Sequence, residues 1–420
     1  MNYDIIYGMI WAKKEEGWNV PIKCWASNLE EGAMEQAKML AQMPCIFHHV
    51  ALMPDCHQGY AIPVGGVVAY KNAISPFGVG SDAGCGMHTF RTNIRAEELS
   101  DMSLRREIQN KIKSLVPVGE SVHEKQQGWT PFDVYQDNDG LDFLVNDRVR
   151  KSLGTVGQGN HFVELDVAKF VDDSYRDENN EFGTEGFVWG LIHTGSRNLG
   201  KQMADYYHEL AVQNCKKWYT KLPSEEFSFL PVDSDLGRQY IRDMEFALSY
   251  ALENRRRIAR SMQTVLQEYF PNLQICFEYD IHHNYASLEN HFGENVWVHR
   301  KGATSAKKDE IGIIPGSMGT SSYIVKGLGN QESFMSCSHG AGRKMSRSAA
   351  NQSLTVKECD EAMQGIVCER WNKVRRGKNA GQYDLSESPG AYKDIEEVIA
   401  NEADLVKPIV KLSPISVLKG

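Results

Sequence analysis

Asp82 and Cys85 stand three residues apart in the run Phe77-Gly78-Val79-Gly80-Ser81-Asp82-Ala83-Gly84-Cys85-Gly86-Met87-His88, a carboxylate and a thiol among glycines. Such a loop lets backbone and ligand approach closely, and oxygen and sulfur donors at that spacing suit a metal ion. Neither a Walker A nor a G-x-G-x-x-G pattern is present, so the loop needs partners from elsewhere. Histidines supply them. His57, His161, His193, His283 and His339 each close a strand-like run or a glycine loop, beside Gly, Asn or a nearby Asp. One such histidine is ordinarily structural, but five in the same local setting point to a converging site.

With Asp82 and Cys85 these imidazoles provide donors enough for two metal ions. The spacing matches no structural zinc pattern, so a catalytic site with open positions is expected. Two-metal sites commonly act on phosphoryl groups, and Arg197, Arg343 and Arg347 suit anionic oxygens. The residue types therefore lead to metal-dependent phosphoryl chemistry, with a nucleic acid as one candidate substrate. They leave hydrolase, transferase and ligase open, and a phosphoesterase acting on nucleic-acid ends without nucleotide transfer is the alternative to carry.

The elements that must position these groups are mixed. Apolar spacing predicts helices over 29–43, ended by Pro44, and over 104–115, 202–218, 236–269, 356–371 and 392–406. Strands are expected at 46–53, 61–70, 162–165, 187–192 and 275–281, with Asp55-Cys56-His57 in a turn between the first two. The stretches 126–139 and 172–185 read as polar insertions, and Arg255, Arg256, Arg257 and Arg260 as a solvated helix face. No repeat, low-complexity linker or composition shift divides the chain. The expectation is one large α+β domain over residues 1–420, with β-sheets around a central cleft holding a dinuclear metal site and helices outside.

Composition bounds the rest. The 420 residues are 41% hydrophobic and 24% charged, as in an ordinary globular protein. A net charge of -9 argues against holding nucleic acid by bulk electrostatics, although a local basic patch can do so. Nine scattered cysteines without a C-x-x-C pair, no secretory signal and no membrane-length apolar run predict a cytoplasmic protein without a membrane partner. No heptad or apolar interface stripe is evident, which favours a monomer.

Taken in order, the motifs resemble the RtcB family of RNA-splicing ligases over nearly the whole chain. They are Asp55-Cys56-His57, Gly78 through Gly86, Gly159-Asn160-His161-Phe162, His193-Thr194-Gly195-Ser196-Arg197, His282-His283-Asn284, Pro315-Gly316-Ser317-Met318-Gly319, Ser338-His339-Gly340-Ala341-Gly342-Arg343 and Val417-Leu418-Lys419-Gly420. The resemblance implies a GTP- and manganese-dependent enzyme of RNA repair or tRNA splicing. It would join RNA bearing a 2',3'-cyclic phosphate or 3'-phosphate to RNA bearing a 5'-hydroxyl, through a guanylylated histidine and an RNA 3'-end guanylate.

By position the histidine is His339, oriented by Asp55. Two Mn2+ ions would share Cys85, with Asp82 and His283 completing one and His161 and His193 the other. Asn160, Glu164, Ser317, Ser322, Tyr392 and Lys419 would contact GTP, and Arg197, Arg343 and Arg347 would hold RNA phosphates. Cys56, Gln58, Ser81 and Asn198 depart from the usual family residues and suggest a divergent member.

Overall fold

The computed structural model describes residues 8–136, 144–171, 182, 183, 185–369, 371–374 and 380–420. In chain order its strands are β1 (Trp11–Lys13), β2 (Ile22–Cys24), β3 (Ile46–His57), β4 (Val64–Tyr70), β5 (Ala73–Ile74), β6 (Gly86–Arg95), β7 (Phe162–Phe170), β8 (Phe187–Thr194), β9 (Leu230–Pro231), β10 (Ile275–His282), β11 (Asn284–His291), β12 (Glu294–Lys301), β13 (Ala303–Ser305), β14 (Ile311–Ile314), β15 (Ser322–Gly327), β16 (Ser336–Ser338) and β17 (Val406–Lys419). The helices are α1 (Glu31–Leu40), α2 (Pro76–Val79), α3 (Met102–Leu115), α4 (Thr130–Gln136), α5 (Asp147–Ser152), α6 (Asn198–Lys217), α7 (Asp235–Tyr269), α8 (Arg347–Ser353), α9 (Val356–Ala362) and α10 (Ile395–Asn401). The protein is a mixed α+β structure.

Two sheets carry the architecture. The first runs β1-β2-β3-β4-β12-β11 and the second β10-β6-β8-β7-β17-β15-β14. Register in the second sheet aligns five neighbouring strands at one end: His282 pairs with Gly86, Gly86 with Thr194, His193 with Phe162 and Phe162 with Lys419. Residues far apart in sequence therefore leave the sheet at one edge. His283 is the crossover residue, since β10 ends at His282 in the second sheet and β11 begins at Asn284 in the first. The small pair β13 and β16, with Ala303 opposite Ser338, presents His339 to the same place.

The long helix α7 packs against β6 and β8. It buries Tyr240, Met244, Ala247, Ala251, Asn254, Arg255, Ile258 and Met262 along one stripe at helical spacing. Arg255 is fully buried while Arg256 and Arg260 are exposed, so the arginine cluster is only in part the expected solvated face.

Other expectations need correction. Asp55-Cys56-His57 belongs to the end of β3 rather than a turn, because the strand bulges between Leu52 and His57 to rejoin β4. The polar stretch 126–139 contains α4, with Phe132 buried against the core, while residues 137–139 lie outside the described residues. Only 182, 183 and 185 of the stretch 172–185 are described. The helix expected over 356–371 stops at Ala362, where residues 363–365 turn and Val367 bridges to Ser416. The one expected over 392–406 is only α10, capped by Asp394 and followed by β17. In both, apolar residues beyond the helix bury in other directions, which a periodicity count cannot distinguish.

Candidate active site

A cavity of about 750 Å³ gathers residues from both sheets. Its lining includes Asp82, Cys85, Asn160, His161, His193, His283, His339, Arg343, Arg347, Tyr392 and Lys419.

The donor cluster starts with a turn in which the Cys85 N–H donates to the Asp82 carbonyl at 3.0 Å. Around it, Cys85 Sγ is 3.4 Å from His161 Nε2 and 3.3 Å from His193 Nε2. His193 Nε2 is 3.2 Å from His283 Nε2, and His161 Nε2 is 3.1 Å from Asp82 Oδ2. These atoms form two triads able to hold a metal ion, Asp82–Cys85–His161 and Cys85–His193–His283, with Cys85 common to both. The side chains thus group differently from what the resemblance implies: His161 stands with Asp82, and His193 with His283. The reason is geometric. His161 Nδ1 is committed to the Val156 carbonyl at 3.0 Å and His193 Nδ1 to the Asn160 carbonyl at 3.1 Å, which aims each Nε2 as found.

The same commitments test whether a cation fits. An imidazole donating through Nδ1 presents a lone pair at Nε2. Two such lone pairs therefore converge on a thiol and a carboxylate, an arrangement that positive charge stabilises and a proton-poor core does not. Burial holds His193 and His283 well below the usual imidazole range, the form that binds metals. Burial and the neighbouring Asp82 push the Cys85 thiol up, so a thiolate here requires a cation.

Backbone geometry makes the crowding possible. A Cβ on Gly195 would lie 2.4 Å from Asp82 Oδ1. Gly84 has φ +77 and abuts α7, where a Cβ would approach that of Ala251 to 2.8 Å.

Two α7 residues, not anticipated from the sequence as site residues, hold the loops. The Asn254 amide accepts from the Gly154 and Thr155 N–H groups at 2.6 and 3.0 Å and donates to the Thr155 and Gly195 carbonyls at 3.1 and 3.2 Å. Arg255 Nη1 donates to the Gly84 and Thr194 carbonyls at 2.7 and 2.8 Å, and Nε and Nη2 form a bidentate pair with Asp280 at 2.8 and 2.7 Å. His282 Nδ1 faces Gly84 O and Arg255 at 3.0 Å each, so it belongs to this scaffold and His283 to the cluster. His88 is likewise scaffold, buried between Asp280 and Glu278 at 3.1 and 2.9 Å.

His339 adjoins the cluster, its ring centroid 4.8 Å from that of His283. Its Nδ1 lies 2.5 Å from Asp55 Oδ2, and its backbone N–H donates to the same oxygen at 3.2 Å. Nε2 is thus left for chemistry. Glycine packs tightly around the pair: a Cβ on Gly302 (φ +57) would stand 3.1 Å from the His339 ring, and one on Gly342 (φ +71) 2.3 Å from the Asp55 carbonyl. His57, which also lines the cavity, donates from Nδ1 to that Asp55 carbonyl at 2.9 Å.

On the other flank Glu387, unnoticed in the sequence, joins four expected contacts. It lies 3.1 Å from both Arg343 Nη1 and Arg347 Nε, 3.3 Å from Lys419 Nζ, and accepts from the Tyr392 hydroxyl. Burial raises its pKa, but Lys419, Arg347, Tyr392 and Arg343 outweigh that and hold it below the usual range. Arg343 also donates to the Ser386 and Met345 carbonyls at 2.7 and 3.2 Å, whereas Arg347 is mostly exposed. Arg197 is the helix-start residue with φ 58, its Nη1 3.4 Å from His161 Nδ1.

Glu164, Ser317 and Ser322 are buried and are not among the cavity-lining residues. Glu164 pairs in register with Val417, Ser317 bonds Thr320 at 2.9 Å, and Ser322 accepts from the Gly316 N–H at 3.1 Å. Lys301 is a further lining residue with no motif to signal it, and burial pushes its ammonium down to about 7.

The chain matches the family described as tRNA-splicing ligase RtcB over residues 36–139 and 135–420. It is 35% identical to the RNA-splicing ligase RtcB of Escherichia coli K12, covering 96% of this chain and 98% of that one. It is 31% identical to the tRNA-splicing ligase RtcB of Pyrobaculum aerophilum, covering 96% and 95%, and 33% identical to that of Methanococcus maripaludis, covering 94% and 92%. With its ordered motifs converging on one cavity and its length matched almost end to end, the chain belongs to the RtcB family.

Proposed function

We propose that this protein is an RNA ligase joining 2',3'-cyclic phosphate or 3'-phosphate ends to 5'-hydroxyl ends, with GTP and two Mn2+ ions. All 420 residues would act as a single catalytic unit. The observation that carries the reading is His339, its Nδ1 engaged by the buried Asp55 and its Nε2 without a hydrogen-bond partner among the described residues, lining one cavity with the Cys85-centred cluster.

Asp55 holds the tautomer in which His339 Nε2 is nucleophilic and stabilises the charge that develops on the ring. Nε2 attacks the α-phosphorus of GTP: an N–P bond forms, the bond to the bridging oxygen breaks, and pyrophosphate leaves. The guanylyl group then passes to the RNA 3'-phosphate, obtained where necessary by opening the cyclic phosphate. Attack by the 5'-hydroxyl releases GMP. Asp82, Cys85, His161, His193 and His283 would hold the metals, which when bound neutralise phosphoryl charge and lower the pKa of a coordinated hydroxyl. Asn160, Tyr392 and Lys419 line the cavity where the nucleotide would bind, and Glu164, Ser317 and Ser322 would join them only after local rearrangement. Of the arginines, Arg347 and Arg343 line the cavity and Arg347 is the more exposed, which favours it for RNA phosphate, whereas Arg197 is not among the lining residues and would need local rearrangement to reach it.

The test is incubation with Mn2+ and GTP labelled in the α-phosphate. The wild type should retain label through denaturation in detergent, and His339→Ala should not. Absence of label in the wild type refutes the ligase reading and favours a phosphoesterase.

A further inference from the structure

Away from Glu387, the cavity lining includes Tyr60, Phe77, Gly80, Lys201 and Lys301. The Tyr60 side chain is displayed rather than packed: the residue is 70% exposed, and among the described residues no ring or cation stacks on it. Its backbone, in contrast, is locked. The Gln36 amide donates to the Gly59 carbonyl at 2.7 Å and accepts from the Gly59 N–H at 3.1 Å, and the Ala61 N–H donates to Glu226 at 3.3 Å. The buried Lys301 ammonium donates to the Tyr60 carbonyl and, at 3.4 Å, to that of Phe77. One cation thus braces both aromatic residues of this wall. The Phe77 ring is itself fixed, stacked on His208 with centroids 3.6 Å apart.

A large ring held out on an immobilised loop spends area that packing would normally bury, and it does so on the lining of the cavity proposed for phosphoryl transfer. Aromatic faces beside cations are what single-stranded nucleic acids use, because every base offers a π-face and stacking tolerates any sequence. Resting on the ligase reading, we propose that Tyr60 is a stacking platform for a nucleobase of the RNA strand whose end enters the cavity. Phe77 and Lys301 are positioning residues that keep the ring in place.

The test uses a single-stranded RNA decamer with a 3'-phosphate and 2-aminopurine in its last three nucleotides. Wild-type protein should bind it and quench the 2-aminopurine emission by stacking. Tyr60→Ala should bind about tenfold or more weakly and leave the emission unquenched, and Tyr60→Phe should restore both, since the phenyl face suffices. Equal affinity and quenching in Tyr60→Ala and wild type would overturn the proposal, as would Tyr60→Phe behaving like Tyr60→Ala. This readout needs neither GTP nor ligation, so it judges Tyr60 even where the labelling experiment refutes the ligase reading. Tyr60 is exposed, so its variants should melt with the wild type.

Discussion

Replacing Arg255 by Met keeps the bulk on the α7 stripe and removes the guanidinium that joins the loops carrying Cys85 and His193. Asp280 then loses its bidentate partner in a site with little solvent access, retaining His88 at 3.1 Å. Breaking a buried pair from one side costs about 3–5 kcal/mol, and the surviving His88 contact places this case near 3. The Thr194 carbonyl loses its side-chain donor for about another 1 kcal/mol, while the Gly84 carbonyl still faces His282. The sum, roughly 4 kcal/mol, is a large share of a typical total of about 5–15 kcal/mol.

Burial raises the Asp280 pKa, but the Arg255 charge and hydrogen bonds, with help from His88, overcome it and leave a strongly depressed value. A depressed carboxylate contributes stability above its unfolded pKa of about 3.9, and that stability is lost as pH falls towards the folded value. Wild-type protein should therefore weaken steeply below about pH 4, and Arg255→Met should lose most of the Asp280 part of that acid dependence. Urea titrations at pH 7 and pH 3 measure both effects. Mn2+ affinity should also fall, by about 10- to 100-fold, because Gly84 precedes Cys85 and Thr194 follows His193. Arg255→Lys, a point charge without the fork, should be intermediate. A variant Arg255→Met within about 1 kcal/mol of wild type and with metal affinity within about twofold would refute the scaffold argument.

Cys85→Ala should empty both metal positions by elemental analysis, while His193→Ala should weaken mainly the one it shares with His283; equal manganese in Cys85→Ala and wild type would refute the shared ligand. Asp55→Asn keeps the volume but loses the charge behind His339, and its guanylylation rate should fall by about 10²- to 10⁴-fold in single-turnover labelling. Glu387→Gln frees Lys419 and Tyr392 from their common anchor, so the KM for GTP should rise by about tenfold with a smaller change in kcat.

Most of the donor atoms were legible in the sequence because their chemistry is unusual at strand ends. A histidine or thiol beside glycine attracts notice wherever the chain folds, whereas the preference for His283 over His282 comes only from the family resemblance, in which the ligand directly precedes the Asn. Glu387 carried no such signal: a glutamate in a polar stretch reads as solvated, and only the return of Lys419 from the end of β17 gives it a role. Arg255 did leave a trace. It follows Ala251 by four residues and precedes Ile258 by three, on the apolar stripe of α7, whereas charge clustering groups it with Arg256, Arg257 and Arg260 as a solvated face.

The grouping of the candidate metal ligands shows where a one-dimensional reading stops. Asp82 and Cys85 share a turn, so either could be grouped with any imidazole arriving from β7, β8 or the β10–β11 crossover. The choice is made by backbone carbonyls. Val156 takes the Nδ1 proton of His161 and turns its Nε2 towards Asp82, while Asn160 takes that of His193 and turns its Nε2 towards His283. Those carbonyls belong to a single loop, Gly154–Asn160, whose first two N–H groups are fixed by Asn254 on α7. A substitution at Asn254 should therefore disturb both metal triads together, although Asn254 is not itself a ligand. Asn254→Ala, compared with His161→Ala and His193→Ala by manganese titration, should lower both binding steps where each histidine variant lowers chiefly one. Loss confined to a single step in Asn254→Ala would mean that the loop does not set the partition.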